Sequence, residues 1–452
     1  FRSGRMNVWG TVVAAYVIAT GIKGLQLGGA PIWIPDMFNG AILLLAVGLA
    51  AYERGPVSST AAIRRLLQSS TRPMRSAKRA RRAEQLARIR GGGGGRELDR
   101  VATPASATAW SRPSVKQRVL RGLSFRNVSA IYLFALMFIV FSIWVPSTFL
   151  QGSTWQSLFS DQAITCMAAL ALVPAIAAGV VDLAVGSEVG LGAIMVAWLM
   201  ANHHVPAPLA IVLTMLCGVA VGVINWALIT RAKIPPFVAT LGMSSVLLAV
   251  IEWVSNSAPI TLSASFQKLG NDKILGLQLP VYILAVIALI MWYAIERTSA
   301  GRRLYATGAN PEAARLSGIR TSRVVLLAAI TCAVIAGIAG VLESSQLATG
   351  DPTIGPGYLL PAIAAAFLGS TQFRNGRMNV WGTVIGAYVI ATGVMGLSLA
   401  GAPNWTPDML EGVILIAAVA LAYYQRVPSA RAASIRRLFS SGSSKPTPEQ
   451  TS

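Results

Sequence analysis

Phe1-Arg-Ser-Gly-Arg-Met-Asn-Val-Trp-Gly-Thr-Val12 returns as Phe373-Arg-Asn-Gly-Arg-Met-Asn-Val-Trp-Gly-Thr-Val384. The correspondence runs without a gap, so that residues 1–67 align with 373–439 and 43 of 67 positions are identical. Shared apolar composition does not explain this, because turn residues match as well: Trp33, Pro35, Asp36 and Met37 stand against Trp405, Pro407, Asp408 and Met409. Each copy reads as an apolar run, a turn (Gly28-Gly-Ala-Pro31 in the first) and a second apolar run, the pattern of a transmembrane helical hairpin. The chain opens at Phe1. The expectation is therefore the tail of one membrane protein joined to a complete sibling.

The rest of the sequence has the same character. Hydrophobic residues make up 54% of 452 positions and charged residues 12%, against roughly 25% charged in an ordinary soluble domain. Apolar runs are expected as spans near 8–22, 37–52, 128–146, 163–178, 184–201, 208–230, 236–254, 280–295, 324–345, 358–369, 380–400 and 409–425. The fold class is thus an all-α polytopic membrane protein, a ten-helix module preceded by an extra two-helix hairpin.

A net charge of +21 invites a nucleic-acid reading, but its distribution argues otherwise. Alternate connecting segments hold 35 of the 38 Lys and Arg; the opposite set holds only Lys23, Lys268 and Lys273. That is the positive-inside asymmetry, which places both termini and the long linker in the cytoplasm. Cys166, Cys217 and Cys332 fall inside apolar spans and read as packing residues, without a disulfide or metal framework. His203 and His204 share a short outer turn without further ligands nearby, so no metal site is expected.

Four segments follow. Residues 1–67 are the duplicated hairpin, 68–123 a basic Gly/Ser/Pro-rich cytoplasmic linker, 124–425 the ten-span module and 426–452 a disordered tail. The basic half of the linker suits anionic lipid headgroups.

Catalysis finds no foothold. There is no G-x-x-x-x-G-K-[ST] phosphate loop and no nucleophile–base constellation, so the chain is not expected to hydrolyse ATP. Of the acids near the spans, Glu252 and Glu343 fall towards outer helix ends, where water reaches them. Asp182 and Glu188 flank a glycine-dense stretch with Gly186 and Ser187. That density permits a broken or re-entrant helix lining a cavity, or a plain tight turn. The inner loop carries a clearer signal. Asn310 is a good N-cap, Pro311 suits the first helical position, Glu312 complements the positive helix end, and Gly318 suits the C-terminal cap. The result is a helix of about seven residues, about 10 Å long, with Ala313, Ala314 and Leu316 as a small apolar surface beside Arg315 and ahead of Ser317. Such a helix inserts into a partner's groove or lies on its own bundle; the residues alone leave both open.

At these motifs the chain resembles the ribose/xylose-type ABC transporter permeases. Gly179-Val-Val-Asp-Leu-Ala-Val-Gly-Ser187 is similar to the family's G-G-I-D-L-S-V-G-S segment. Gly301-Arg-Arg-Leu-Tyr-Ala-Thr-Gly-Ala-Asn-Pro-Glu-Ala-Ala-Arg-Leu-Ser-Gly-Ile319 is similar to its cytoplasmic coupling loop, and Pro361-Ala-Ile-Ala-Ala-Ala-Phe-Leu-Gly-Ser370 to D-A-I-A-A-V-V-I-G-G. Val180, Ala184 and Pro361 depart from the common Gly, Ser and acidic residue, which weakens inference about the sugar. The resemblance covers about 125–425. It implies a permease in a bacterial cytoplasmic membrane, serving a binding-protein-dependent sugar importer. Implied partners are an ATPase subunit that carries the ATP and Mg, an extracytoplasmic sugar-binding protein, and a second permease domain, either an identical chain or a fused sibling. It further implies that residues 310–318 dock the ATPase, that 179–188 lie near the translocation path, and that 1–67 are the last two helices of an upstream permease. An ion-coupled sugar carrier and a branched-chain amino-acid permease remain the alternatives.

Overall fold

A computed structural model describes residues 8–53, 129–371 and 376–426. The linker expected over 68–123 and the tail beyond Arg426 lie outside the described residues. The N-terminal hairpin consists of α1 (Val8–Leu27) and α2 (Trp33–Glu53). There follow α3 (Ser129–Trp144), the single turn α4 (Pro146–Phe149), α5 (Gly152–Ala177), α6 (Val185–Ala201), α7 (Ala207–Trp226) and α8 (Pro236–Ser255). Next come α9 (Ala264–Asn271), α10 (Leu279–Trp292), α11 (Ser299–Ala309), α12 (Pro311–Leu316) and α13 (Thr321–Leu347). The last three are α14 (Leu359–Ser370), α15 (Val380–Leu399) and α16 (Thr406–Arg426). Two antiparallel ladders of two residues each join β1 (Ile260–Thr261) to β4 (Thr349–Gly350) and β2 (Lys273–Ile274) to β3 (Leu277–Gln278).

Helix dominates because a chain in hydrocarbon must satisfy its own backbone polar groups. Among the described residues six helical stretches are long and apolar enough to cross: Gly152–Ala177, Ala207–Arg231, Pro236–Ser255, Leu279–Arg297, Thr321–Leu347 and Val380–Leu399. The protein is a polytopic membrane protein. The expected count of ten plus two is less simple than hydropathy implies, since several apolar helices are short. α14 has 12 residues; at 1.5 Å per residue it extends about 18 Å, against a hydrocarbon core of about 30 Å.

At the centre stands α5, packed on α10, α13, α14 and α15. Its residues Ile164, Met167, Leu170 and Leu172 are fully buried, as expected of a helix whose C-terminal half is apolar on nearly every face. Small residues set the close crossings between helices. A Cβ at Gly218 on α7 would lie 3.1 Å from the Ala333 carbonyl oxygen of α13, and one at Gly222 would lie 2.6 Å from the Ile330 Cα. Gly192 on α6 meets Gly337 on α13 in the same way.

Two boundaries differ from expectation. α5 begins at Gly152, well before the span expected from residue 163. Its first turns carry Ser153, Thr154, Gln156, Ser157, Ser160 and Asp161, which lower hydropathy without breaking a helix. They are anchored by Trp155, whose indole donates to the Phe149 carbonyl at 2.9 Å and packs edge-on against the Phe149 ring. The connection 255–279 between two expected spans is also not featureless: it contains α9 and three of the four short strands, and β1–β4 ties it to the end of α13.

Candidate functional site

Two arrangements meet at the ends of α5 and α11. The first is the connection from α5 to α6. Gly179 takes a φ of +85° and reverses the chain, after which residues 180–184 run without regular structure to the start of α6. This segment is not a surface turn, because Val180, Asp182 and Ala184 are all buried. Its polar groups are met locally. The Ala184 N–H donates to Asp182 Oδ1 at 2.9 Å, and the Leu183 N–H donates to Thr240 Oγ1 of α8 at 3.0 Å. The Ser187 and Ser244 hydroxyls are 2.7 Å apart and share one hydrogen bond. The expected choice between a broken helix and a tight turn thus resolves into an irregular, protein-enclosed segment held by α8.

Asp182 and Glu188, which flank the glycine-dense stretch in sequence, come together in the structure, and it adds two residues that sequence reasoning missed. Single ligand atoms of Asp182, Glu188 and Cys332 lie within 4.8 Å of one another, all three buried. Asn225 of α7 donates to Glu188 Oε1 at 3.4 Å, while Glu188 Oε2 has no hydrogen-bond partner. The expectation of Cys332 as a packing residue needs correction: its thiol closes this cluster, and only the approach of α13 to α6 brings it there. Among the described residues neither carboxylate has an ion-pair partner. The arrangement can hold a proton, or accept hydrogen bonds from a neutral polar group, inside an otherwise apolar bundle. Gly186, also singled out in sequence, packs against the Gly355 carbonyl oxygen, to which an added Cβ would approach within 2.6 Å.

The second arrangement is the pair α11 and α12. Asn310 caps α12 as expected, its side chain accepting from the Ala313 N–H at 3.0 Å with Pro311 at the first helical position. Gly318 takes a φ of +83°, and the Ser317 hydroxyl donates to the Ala313 carbonyl at 2.9 Å. The helix has 6 residues, slightly fewer than expected. Glu312 and Arg315 pair at 2.8 Å across its exposed face. The anticipated apolar surface needs correction: Ala314 turns inward and is buried, since it is the residue that seats α12 on the bundle. The outer face therefore presents Pro311, Glu312, Ala313, Arg315, Leu316 and Ser317, with Leu316 79% exposed.

Glycine joins the two arrangements. A Cβ at Gly179 would lie 3.3 Å from the Gly308 Cα, and one at Gly308 would run into the Ala177 carbonyl oxygen. Backbone thus touches backbone where α11 meets the end of α5. On its other side α11 is pinned by the Tyr305 hydroxyl, which donates to the Met378 carbonyl beside α15. At the opposite end of the bundle His203 packs its ring 4.2 Å from that of Trp198, consistent with a surface turn.

Comparison with known proteins places these features in context. The profile of the family described as "Branched-chain amino acid transport system / permease component" matches residues 156–419. The ribose import permease protein RbsC of Bacillus subtilis is 35% identical over 292 residues, covering 64% of this chain and 90% of its own length. The D-allose transport system permease protein AlsC of Escherichia coli is 29% identical over 312 residues, covering 69% and 96% respectively. The autoinducer 2 import system permease protein LsrD of Escherichia coli is 32% identical over 271 residues, covering 58% and 82%. No solved structure matches.

Proposed function

The chain belongs to the branched-chain amino acid transport system / permease component family, and from that premise we propose that it carries a simple sugar inward when a separate ATPase pushes on α12. It is the membrane permease of a binding-protein-dependent ABC sugar importer, and not an enzyme. The ATPase is a separate subunit, and the family implies both that ATPase and a binding protein as partners. The relatives are named for ribose, D-allose and autoinducer 2, which favours a small, uncharged, polyhydroxylated substrate over a branched-chain amino acid.

The observation that carries the mechanism is the Gly179–Gly308 contact. α12 is capped at both ends and exposed on its outer face, with Ala314 its buried residue, which suits a helix that enters a partner's groove. A push on α12 passes through α11 to Gly308, and from there to the chain reversal at Gly179 and the buried segment containing Asp182. Close-packed backbone transmits such displacement because no flexible side chain intervenes. In this reading Asp182, Ser187 and Glu188 sit beside the path, and Gly186 lets α6 pack closely enough to follow. The basic segments face the cytoplasm, the module from residue 124 crosses ten times, and hairpin 1–67 is the end of a sibling permease.

Uptake of a labelled pentose and hexose panel, with and without this gene, tests the reading. Gene-dependent uptake should fail when ATP is depleted and survive a protonophore. Uptake that collapses with the proton gradient while ATP is maintained would overturn it in favour of an ion-coupled carrier.

A further inference from the structure

Asp182 and Glu188 are 1% and 2% exposed, inside helices that bring them no counter-charge. None of α5, α6, α7 and α8 contains Lys, Arg or His, and α13 contains only Arg323, in its first turn. Arg323 is exposed and precedes Cys332 by about 14 Å along the helix. Two carboxylates buried this close together persist only when protons or a cation neutralise them.

The surrounding donor atoms favour the cation. Glu188 Oε2 and Asn225 Oδ1 are both buried without a hydrogen-bond partner, and both are electron-pair donors, which a metal ion accepts from several sides at once. Asn225 Nδ2 stands 3.4 Å from Glu188 Oε1, long for a hydrogen bond to a carboxylate. A turn of the amide brings its otherwise unpartnered Oδ1 to that place. On a tetrahedral zinc, with bonds of about 2.0 Å to oxygen and 2.3 Å to sulfur, ligand oxygens lie about 3.3 Å apart and a sulfur about 3.5 Å from each. These separations fall within the 4.8 Å that encloses the ligand atoms of Asp182, Glu188 and Cys332. Backbone contacts fix the helices that carry them: Gly340 of α13 meets the Val189 carbonyl of α6, and Gly337 meets Gly192.

We propose that Asp182, Glu188, Cys332 and Asn225 form a buried four-coordinate site for a divalent cation of the zinc class, which clamps the start of α6 to α7 and α13. The thiolate disfavours Mg2+ and Ca2+, and the two carboxylates disfavour Cu(I). Binding expels the Cys332 thiol proton, with any proton on the acids, to solvent. The ion offsets all but one of the negative charges on its ligands, and the remainder lies at the first turn of α6, where the helix dipole favours it. Segment 180–184, already held by α8, is then tied to two further helices. What this implies for the path rests on the permease reading above; metal binding itself does not.

The test measures metal in the full chain, purified in detergent from cells grown with added zinc and passed over a desalting column. Wild type should carry about one zinc per chain. Cys332→Ser and Glu188→Gln should each lower this roughly tenfold, while Cys217→Ser, a thiol of α7 outside the cluster, should leave it unchanged. Asn225→Asp exchanges one oxygen ligand for another and should keep both the metal and the inserted amount; a cluster held by protons alone would be disrupted by a third buried carboxylate. Protein grown with cobalt instead should show a thiolate-to-metal absorption in the near ultraviolet that Cys332→Ser removes. Wild type with no zinc, or with no more than Cys332→Ser, marks an adventitious ion only and overturns the proposal. ATP-driven uptake by the same variants separates the two readings. Uptake by a metal-free wild type removes the clamp alone, whereas a zinc-loaded wild type without ATP-driven uptake keeps the site and removes the permease mechanism.

Discussion

Glu312→Lys separates a docking helix from a merely surface one, because its effect on the fold can be bounded. The Glu312–Arg315 pair is 66% and 67% exposed at its two side chains, and exposed pairs at this spacing contribute about 0.2–0.5 kcal/mol. An acidic residue in the first turn adds about 0.3–1 kcal/mol through the helix dipole. Reversing the charge turns both contributions unfavourable, for a local cost of about 1–3 kcal/mol. That cost falls on α12 alone. The Asn310 cap remains, and the helix attaches to the bundle through Ala314, so the membrane-inserted amount should stay within twofold of wild type. Initial rates of labelled sugar uptake, normalised to inserted protein, should nevertheless fall more than tenfold. Tenfold corresponds to about 1.4 kcal/mol of lost ATPase docking, a small demand for a second positive charge placed beside Arg315 in a groove built for Glu312. Glu312→Gln should fall between the two, and ATPase co-purification should decline in the same order. Uptake by Glu312→Lys within twofold of wild type at equal protein would refute the assignment of α12.

Gly308→Val drives a branched side chain into the Ala177 carbonyl and should uncouple the stroke from the bundle: uptake drops while the ATPase still co-purifies, and unchanged uptake removes this contact from the transmission route. Asp182→Asn keeps an acceptor for the Ala184 N–H while deleting the charge. Uptake should be impaired with ATPase association intact; a wild-type rate in the same assay would take Asp182 out of the path. Gly222→Leu overpacks the α7–α13 crossing, where an added Cβ already lies 2.6 Å from the Ile330 Cα. Overpacking costs about 1–3 kcal/mol, with backbone neighbours at the upper end, so the fraction extracted as monodisperse protein should fall. Wild-type thermal stability in detergent would show that the crossing relaxes freely.

Much of this protein is legible in its residues because membrane folding imposes local rules. Apolar run length identifies helices, since only internally hydrogen-bonded backbone survives in hydrocarbon. The α12 caps were equally legible, because Asn310, Pro311 and Gly318 act on backbone groups a few residues away. The duplication of 1–67 is a property of the text itself. Local rules fail where function depends on which helices meet. No pattern along the chain says that Cys332 and Asn225 join Asp182 and Glu188, because four separate segments supply them and their approach depends on the close crossings of α6 and α7 with α13. The Gly179–Gly308 contact lies between residues more than a hundred positions apart. Ala314 and Leu316 look alike in sequence as apolar residues on one short helix; packing alone turned the first inward and left the second exposed. Most plainly, α2 and α16 are copies of one sequence, related residue by residue, yet cover different surfaces. Sequence determines which faces of a membrane helix are adhesive, whereas the helices within reach decide which face is used.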